Sequence, residues 1–136
     1  MAIEHAGDRF SFKAATDMST YQYKLVKLST STAFTVEVIS AALDPVFGVL
    51  QNTPSASQNA DVMVLGGGGF SKVSANAAIS IGSRVFTSTD GQVASARYGV
   101  LATGTGFLLG FALEAATAAD DVITIALGGT HNAGQA

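Results

Sequence analysis

An internal repeat spans most of the 136 residues of the chain. The stretch VFGVLQNTPSASQNADVMVLGG (46–67) has the same order of features as LLGFALEAATAADDVITIALGG (108–129). Each stretch has an apolar run interrupted by glycine, then a loop of small or polar residues, then Asp-Val, an alternating run and Leu-Gly-Gly. The upstream segments correspond loosely, which extends the repeats to approximately 23–67 and 84–129. A period of about 60 residues predicts two copies of one structural unit.

Each copy has the pattern of β-structure. Short runs rich in Val, Ile, Leu and Phe recur about every 8 to 12 residues with turn residues between them, which is typical of an all-β sandwich or barrel. The Asp-Gly pair between SRVFTS (83–88) and QVAS (92–95) predicts a hairpin. The stretch ALEAATAADD (112–121) has the composition of a helix, but its place in the repeat favours a loop. Further strands are predicted at 23–28, 34–38, 46–50, 61–65, 70–73, 106–113 and 121–127.

These patterns predict an all-β fold class with three parts. Residues 14–127 would form a single small barrel- or sandwich-like domain built from two similar β-units. Residues 1–13 would form an extended N-terminal arm. Residues 128–136 have no apolar anchor, so we expect a loose C-terminal tail.

The predicted arm contains aromatic residues at every second position, Phe10 and Phe12. Such a pattern most often marks one face of a strand that packs on a core. The alternative is that residues 8–13 add as a strand to another subunit. On that hypothesis Arg9, Phe10, Phe12 and Lys13 are candidate contacts to a partner protein or to another subunit.

The composition favours a protein that assembles with others. Charged residues make up 12% of the chain and apolar residues 48%, whereas about 25% charged residues is usual. Interface cores are depleted of charge, so the chain suits an assembly subunit; the alternative is a monomer with a Ser/Thr-rich surface. The net charge is −3 without a basic face, which argues against nucleic-acid binding. We expect a soluble protein, since neither a secretory signal nor a long apolar run is present.

Four consecutive glycines, 66–69, raise the question of a phosphate-binding loop. A P-loop needs Gly-Lys-Ser/Thr at its end, but here Lys72 comes too late. A dinucleotide fingerprint would need glycine where Ser71 stands, and the next segment has the pattern of a strand. The run therefore predicts a crossing between the two β-units. Gly67 and Gly68 are candidate contacts to another subunit or to a partner protein at that crossing.

Catalytic and metal-binding residues are not indicated by the sequence. The two histidines, His5 and His131, lie near opposite ends, and cysteine is absent, so neither a zinc site nor a catalytic triad is predicted. Asp61 and Asp121 occupy matching positions in the repeat, and we expect turn-type hydrogen bonds from backbone to their carboxylates. We predict no enzymatic activity, no catalytic residue, no metal and no cofactor.

Three stretches of the sequence resemble a family of small tailed-phage virion proteins. They are RFSFKAATDMSTYQYKLVKLS (9–29), the segment from DPVFGVLQNTP to SRVF (44–86), and GFLLGFALEAATAADDVITIAL (106–127). The family is often described only as a domain of unknown function, and its members are identified as capsid decoration, or cement, proteins. The matching positions are Phe10 to Lys13, Asp17 to Ser19, Phe47 to Pro54, Leu65-Gly66, Lys72-Val73, Ile79 to Gly82 and Leu109 to Ala116.

This resemblance implies a structural protein on the outside of a phage head. It implies binding to the major capsid protein, stabilisation of contacts between capsid subunits, and a homo-oligomer, expected to be a trimer with a dimer as the alternative. The protein would be made in the host cytoplasm and be located in the virion, without nucleic-acid or membrane partners. Two other functions remain open at this point: a head-fibre base or tail-associated virion protein, and a ligand- or carbohydrate-binding β-module.

Overall fold

The computed structural model describes residues 9–41, 43–65, 69–87, 100–101 and 107–127. These residues contain ten strands and no helix, and they form a closed barrel and a second sheet. The predicted all-β fold class is therefore confirmed. Of the stretch 112–121, Ala112 is the last residue of a strand and residues 113–121 form the loop that follows it. The strands are β1 Arg9–Ala14, β2 Leu25–Leu28, β3 Thr35–Val38, β4 Val46–Leu50, β5 Asn59–Val64, β6 Phe70–Ser74, β7 Arg84–Thr87, β8 Val100–Leu101, β9 Leu108–Ala112 and β10 Val122–Leu127.

The first five strands form the barrel in the order β1-β3-β2-β4-β5. Strand β1 closes it, since Arg9 to Lys13 pair antiparallel with β5 while Lys13 and Ala14 pair parallel with β3. Residues 9–13 were predicted to lie in an extended arm. The register corrects this part of the prediction, because these residues belong to a strand of the chain's own barrel. The physical reason is that both β3 and β5 offer backbone partners to this segment. Residues 1–8 lie outside the described residues.

The second sheet has the order β6-β10-β9-β7-β8. Each neighbour relation in it has a counterpart in the barrel, where β1 lies beside β5, β5 beside β4, β4 beside β2, and β2 beside β3. The two sheets differ in closure, because β1 pairs with β3 whereas β6 and β8 occupy opposite edges. The hairpin partner of β7 is β8, with Phe86 opposite Leu101. The predicted strand 92–95 lies outside the described residues.

Both units contain a β-bulge beside an equivalent glycine. In the barrel, Val26 pairs with Gly48 and Lys27 with Val46, which leaves Phe47 as the extra residue. In the second sheet, Val85 pairs with Gly110 and Phe86 with Leu108, which leaves Leu109 as the extra residue. A bulge locally changes which face a side chain takes. Phe47 therefore packs on the barrel interior, and Leu109 is fully buried in the second core.

The hairpin registers show a difference of one residue between the units. Leu50 pairs with Val62, 12 positions later, whereas Ala112 pairs with Ile125, 13 positions later. The loop of the second unit is therefore one residue longer. By these registers the counterpart of Asp61 is Thr124, so Asp61 and Asp121, which the repeat placed at matching positions, are not equivalent.

The apolar core has two parts. The first fills the barrel with Ala14, Met18, Val26, Val36, Leu50, Ala60 and Val62. The second lies between the outer wall of the barrel, including Leu25, Val49 and Met63, and one face of the second sheet, including Val85 and Ile125. By register, Ile125 is the counterpart of Val62. The face of the second sheet that corresponds to the barrel interior therefore packs on the outer wall of the barrel. This packing fixes the position of the two units relative to each other.

Asp44 organises the loop between β3 and β4. Its Oδ2 accepts hydrogen bonds from Ser40 N–H (2.7 Å), Ala41 N–H (3.1 Å), Ser40 Oγ (3.0 Å) and Lys27 Nζ (2.9 Å). Burial opposes ionisation and is the largest single influence, but the hydrogen bonds from Ser40, Lys27 and Ala41 together outweigh it and lower the pKa of Asp44 to about 2. The ionised carboxylate is thus favoured in the folded chain.

Replacement of Asp44 by asparagine is expected to make stability less dependent on pH. The pKa of Asp44 is lower in the folded chain than in the unfolded chain, where it is 3.8, so the ionised carboxylate stabilises the fold at pH values above about 4. This stabilisation is lost as the pH falls toward 2. At pH 7 we expect Asp44→Asn to lower the free energy of unfolding by about 1 to 2 kcal/mol. The difference from the wild type should shrink below pH 4. Urea unfolding between pH 7 and pH 2 measures this; a constant difference across that range would contradict it.

Candidate interaction surfaces

Two of the sequence-predicted contact residues, Arg9 and Lys13, lie on the outer side of β1. Arg9 Nη2 lies 3.4 Å from Asp61 Oδ2 in a solvent-exposed ion pair. Lys13 is exposed and borders a polar cleft of about 320 Å³, whose other lining residues include Ser29, Ser31, Thr32 and Glu37. Exposed ion pairs contribute little to stability, about 0 to 1 kcal/mol. Arg9 and Lys13 are therefore available for an intermolecular contact.

The other two predicted contacts on β1, Phe10 and Phe12, point to the inner side of the strand. Phe12 is half-buried and its ring meets that of Phe47 edge to face, with 5.2 Å between centroids. Phe10 is 54% exposed. It pairs with Val62 of the neighbouring strand β5, and both side chains lie on the inner side of the sheet. The alternating aromatics thus serve the core at Phe12, while Phe10 remains a surface residue.

The glycine run connects the barrel to the second sheet. Gly67 and Gly68, the remaining predicted contacts, lie outside the described residues. Gly69 has a φ of 85°, a conformation in which side chains are rarely found, and β6 follows it directly. The segment after the run is a strand and not the helix that a phosphate-binding loop requires.

The two aspartates assigned to turns have different roles. Asp121 Oδ2 accepts hydrogen bonds from Thr117 N–H (2.7 Å) and Ala118 N–H (3.1 Å), so the predicted turn-type hydrogen bonds are confirmed there. These hydrogen bonds lower the pKa of Asp121, with Thr117 the main cause. The same prediction was wrong for Asp61. It lies within β5, and its carboxylate accepts hydrogen bonds from the side chains of Arg9 and Ser11.

An exposed apolar surface on the second sheet was not predicted from the sequence. This surface, here called the outer face, is the side of β6, β9 and β10 opposite to the side that covers the barrel; at β6 it borders a cleft that Arg9 and Tyr23 also line. On it Phe70, Phe111, Leu113 and Val122 are between 43% and 48% exposed. Phe70 and Phe111 both pair with Ala126, one from each side. The signal was the near-continuous apolar character of FLLGFAL and VITIAL, which leaves apolar residues on both sides of the sheet.

Charges of both signs border the outer face. Arg84 pairs with Phe111 across β7 and β9, and Lys72 pairs with Thr124 across β6 and β10. Glu114 Oε2 accepts a hydrogen bond from Thr124 N–H at 2.8 Å. Hydrogen bonding from Thr124, helped by the charge of Lys72, keeps the pKa of Glu114 below its usual value. The face is therefore apolar in the middle and mixed in charge at its rim.

The seam between the barrel and the second sheet is held by polar contacts. Lys24 Nζ donates to Ser74 Oγ at 2.8 Å and lies 3.3 Å from Asp120 Oδ1. Gln51 Nε2 donates to Ser71 Oγ at 3.1 Å. A cleft of about 350 Å³ borders this seam, with lining residues of mixed chemistry that include Arg9, Tyr23 and Lys72. These contacts join the barrel to the second sheet.

In the described part of the chain, no three His, Cys, Asp or Glu side chains come together as metal ligands would. Both histidines lie outside that part. Nor does the part of the chain seen in the structure include a helix of the length and hydrophobicity that a membrane crossing demands.

Comparison with known proteins identifies the family. The sequence profile of the phage cement proteins matches residues 6–127, from just before β1 to the end of β10. The chain belongs to the phage cement protein family. It is therefore a virion-associated structural protein of a phage, from a family of capsid-binding proteins and not of enzymes. The resemblance stated from the sequence is confirmed.

The fold of this cement-family protein is shared with a solved phage structure. The crystal structure of the head fibre gp8.5 N base in bacteriophage phi29 matches with a TM-score of 0.63 at 15% sequence identity. The match covers 91% of this chain and 96% of that chain, so the likeness extends over both the barrel and the second sheet. The search of curated proteins found no match.

Proposed function

We propose that this protein is a capsid decoration protein that binds the outside of a phage head and stabilises contacts between major capsid subunits. The observation that supports this most is the extent of the family match, which includes every described strand. A protein whose whole described fold belongs to a cement family needs surface contacts and not a reaction centre. We propose that it acts as a homo-oligomer, a trimer or else a dimer.

The distribution of exposed residues supports this role. Apolar side chains are exposed on the outer face and also on the barrel, where Phe34 is 81% and Phe10 54% exposed. Several modest contacts can together give tight attachment when each oligomer engages more than one site on a shell. Arg9, Phe10 and Lys13 on β1, and Gly67 and Gly68 in the glycine run, remain candidate contacts to the capsid or to another copy. Phe12 is a weaker candidate because its ring packs on Phe47.

Binding to heads that lack this protein tests the proposal. Heads are purified from the phage that encodes it after deletion of its gene, and purified protein is added back. We expect saturable co-sedimentation at a fixed number of copies per head, together with a higher temperature of DNA release measured by dye fluorescence. Heads that already carry the protein should take up none. Absence of saturable binding, or binding that leaves the release temperature unchanged, would refute capsid stabilisation.

A head-fibre base is the second candidate function. The specific observation in its favour is the fold shared with the phi29 head fibre N base over nearly all of both chains. A base would attach to the head and carry a further projecting component. Electron cryo-microscopy of the same decorated heads separates the two functions, because a base predicts extra density beyond that of the described fold.

A further inference from the structure

The outer face of the second sheet has a self-complementary shape. Along one row of the sheet the side chains read Phe70, Ala126, Phe111, so a small residue lies between two large ones. Ala126 is only half-buried, which leaves a groove between two aromatic ridges. Sheets pack face to face by interdigitating such ridges and grooves. A phenylalanine from an identical face fits over Ala126.

The duplicated fold shows what covers this kind of surface within the chain. Val49 and Met63 pair with each other on the outer wall of the barrel, and the hairpin registers make them the counterparts of Phe111 and Ala126. Val49 and Met63 are 0% and 4% exposed, because the second sheet covers them. On the equivalent wall of the second unit Phe111 is 48% exposed and Ala126 half-buried, and the barrel approaches this wall only at the cleft beside Phe70. Within this chain, the second sheet therefore already packs on the wall of the first unit that Val49 and Met63 form.

We propose that copies of this chain associate through their outer faces. This inference rests on the proposed function for its role, and it favours the dimer over the trimer, since a face that packs on an identical face joins two copies. Lys72 and Arg84 on one copy and Glu114 on another provide opposite charges at the rim, so two such faces are compatible. Head-to-tail addition is blocked, because the inner face of each second sheet is already filled by its own barrel. The association is therefore closed and does not grow into a fibre.

The size of the face sets the strength of the association. Three strands of about five residues cover roughly 240 Å² at the usual strand spacing and rise. A stable interface commonly needs about 800 Å² from each partner. Association in solution is therefore weak and depends on concentration. It becomes effective on a shell, where binding holds neighbouring copies close together.

Sedimentation velocity over a concentration series tests this surface without any heads. The wild-type weight-average mass should rise between about 1 and 500 µM, the range in which weak association is populated. Phe111→Asp on β9 and Ala126→Lys on β10 each place a charge in the face, and each should weaken association at least tenfold. Leu28→Asp, which places the same charge at a position of similar exposure on the barrel (45% against 48% for Phe111), is the matched control and should associate like the wild type. Circular dichroism identifies any variant that fails to fold, and the variant on the other strand then provides the test.

The outcomes separate this inference from the proposed function. A wild-type protein that stays monomeric throughout the series would overturn it, as would folded Phe111→Asp and Ala126→Lys variants that associate normally. A monomeric wild type whose binding to heads is lost on Ala126→Lys would also overturn it and assign the face to the capsid. Failure of the wild type to bind heads would refute capsid decoration while leaving the measured self-association in place.

Discussion

Replacement of Gly48 by alanine is expected to lower the free energy of unfolding by about 3 kcal/mol, the upper part of the range for overpacked cores. A Cβ atom at this position would lie 2.6 Å from Val62 Cγ1 and would also press on the carbonyl oxygen of Met63. That carbonyl belongs to β5, which pairs with β4 directly beside Gly48. Relief of the clash therefore requires the two strands to separate where they form the barrel wall.

Gly82→Ala is the matched control for this effect. A Cβ atom there would have no heavy atom within 4 Å, but the residue has a φ of +82°. The cost should therefore be only that of the left-handed conformation, about 1 to 2 kcal/mol. Urea unfolding of the two variants, compared with the wild type at a common m-value, measures the difference. Equal midpoints for the two variants would show that the β4–β5 contact yields more easily than the structure implies.

Deletion of residues 1–13 is expected to unfold the barrel and not merely to release an arm. The deletion removes the five residues of β1 that pair with β5. It also removes the half-buried Phe12 ring from its contact with Phe47, which costs part of the about 3 to 5 kcal/mol that loss of a fully buried phenylalanine costs. Since a domain of this kind has only about 5 to 15 kcal/mol in total, the cooperative unfolding transition should be lost or moved to far lower urea.

Deletion of residues 1–8 is the control, because it leaves β1 complete. We expect it to unfold close to the wild-type midpoint in urea, followed by circular dichroism. If the longer deletion also unfolded at the wild-type midpoint, β1 would not be part of the barrel in solution. The hypothesis that this segment adds to another subunit would then be the better one.

The predicted strands show how far pattern alone determines secondary structure. The run 46–50 coincides with β4, and 121–127 contains β10. Both patterns are local, since a strand and its turns depend on side chains a few residues apart. The loop at 112–121 was also predicted, although its composition is that of a helix, because the repeat placed it between two strands.

The role of β1 could not be predicted for a physical reason. Its partners, β3 and β5, lie about 20 and 50 residues away, and the alternation in RFSFK is the same whether the neighbouring strand belongs to this chain or to another. The outer face was missed for a similar reason. Because β9 and β10 are apolar on both sides, their sequences do not indicate which side covers the barrel.

The unequal roles of Asp61 and Asp121 follow from the registers of the two hairpins. Sequence alignment of the repeats matched them by their Asp-Val pairs, whereas the hairpin registers place Asp61 within a strand and Asp121 before one. By these registers the counterpart of Asp61 is Thr124, three residues after Asp121. Asp61 therefore accepts a hydrogen bond from Ser11 of the neighbouring strand, while Asp121 accepts backbone hydrogen bonds in its own loop.

The sequence by itself determined the all-β class, the duplicated unit and the resemblance to cement proteins, because these depend on local patterns and their order along the chain. Only the tertiary structure decided that the first unit closes into a barrel through β1 and that the second remains open and covers it. Closure and coverage depend on which distant strand edges and apolar faces meet. The same packing decides which apolar residues remain outside, and these are the residues through which we expect the protein to assemble.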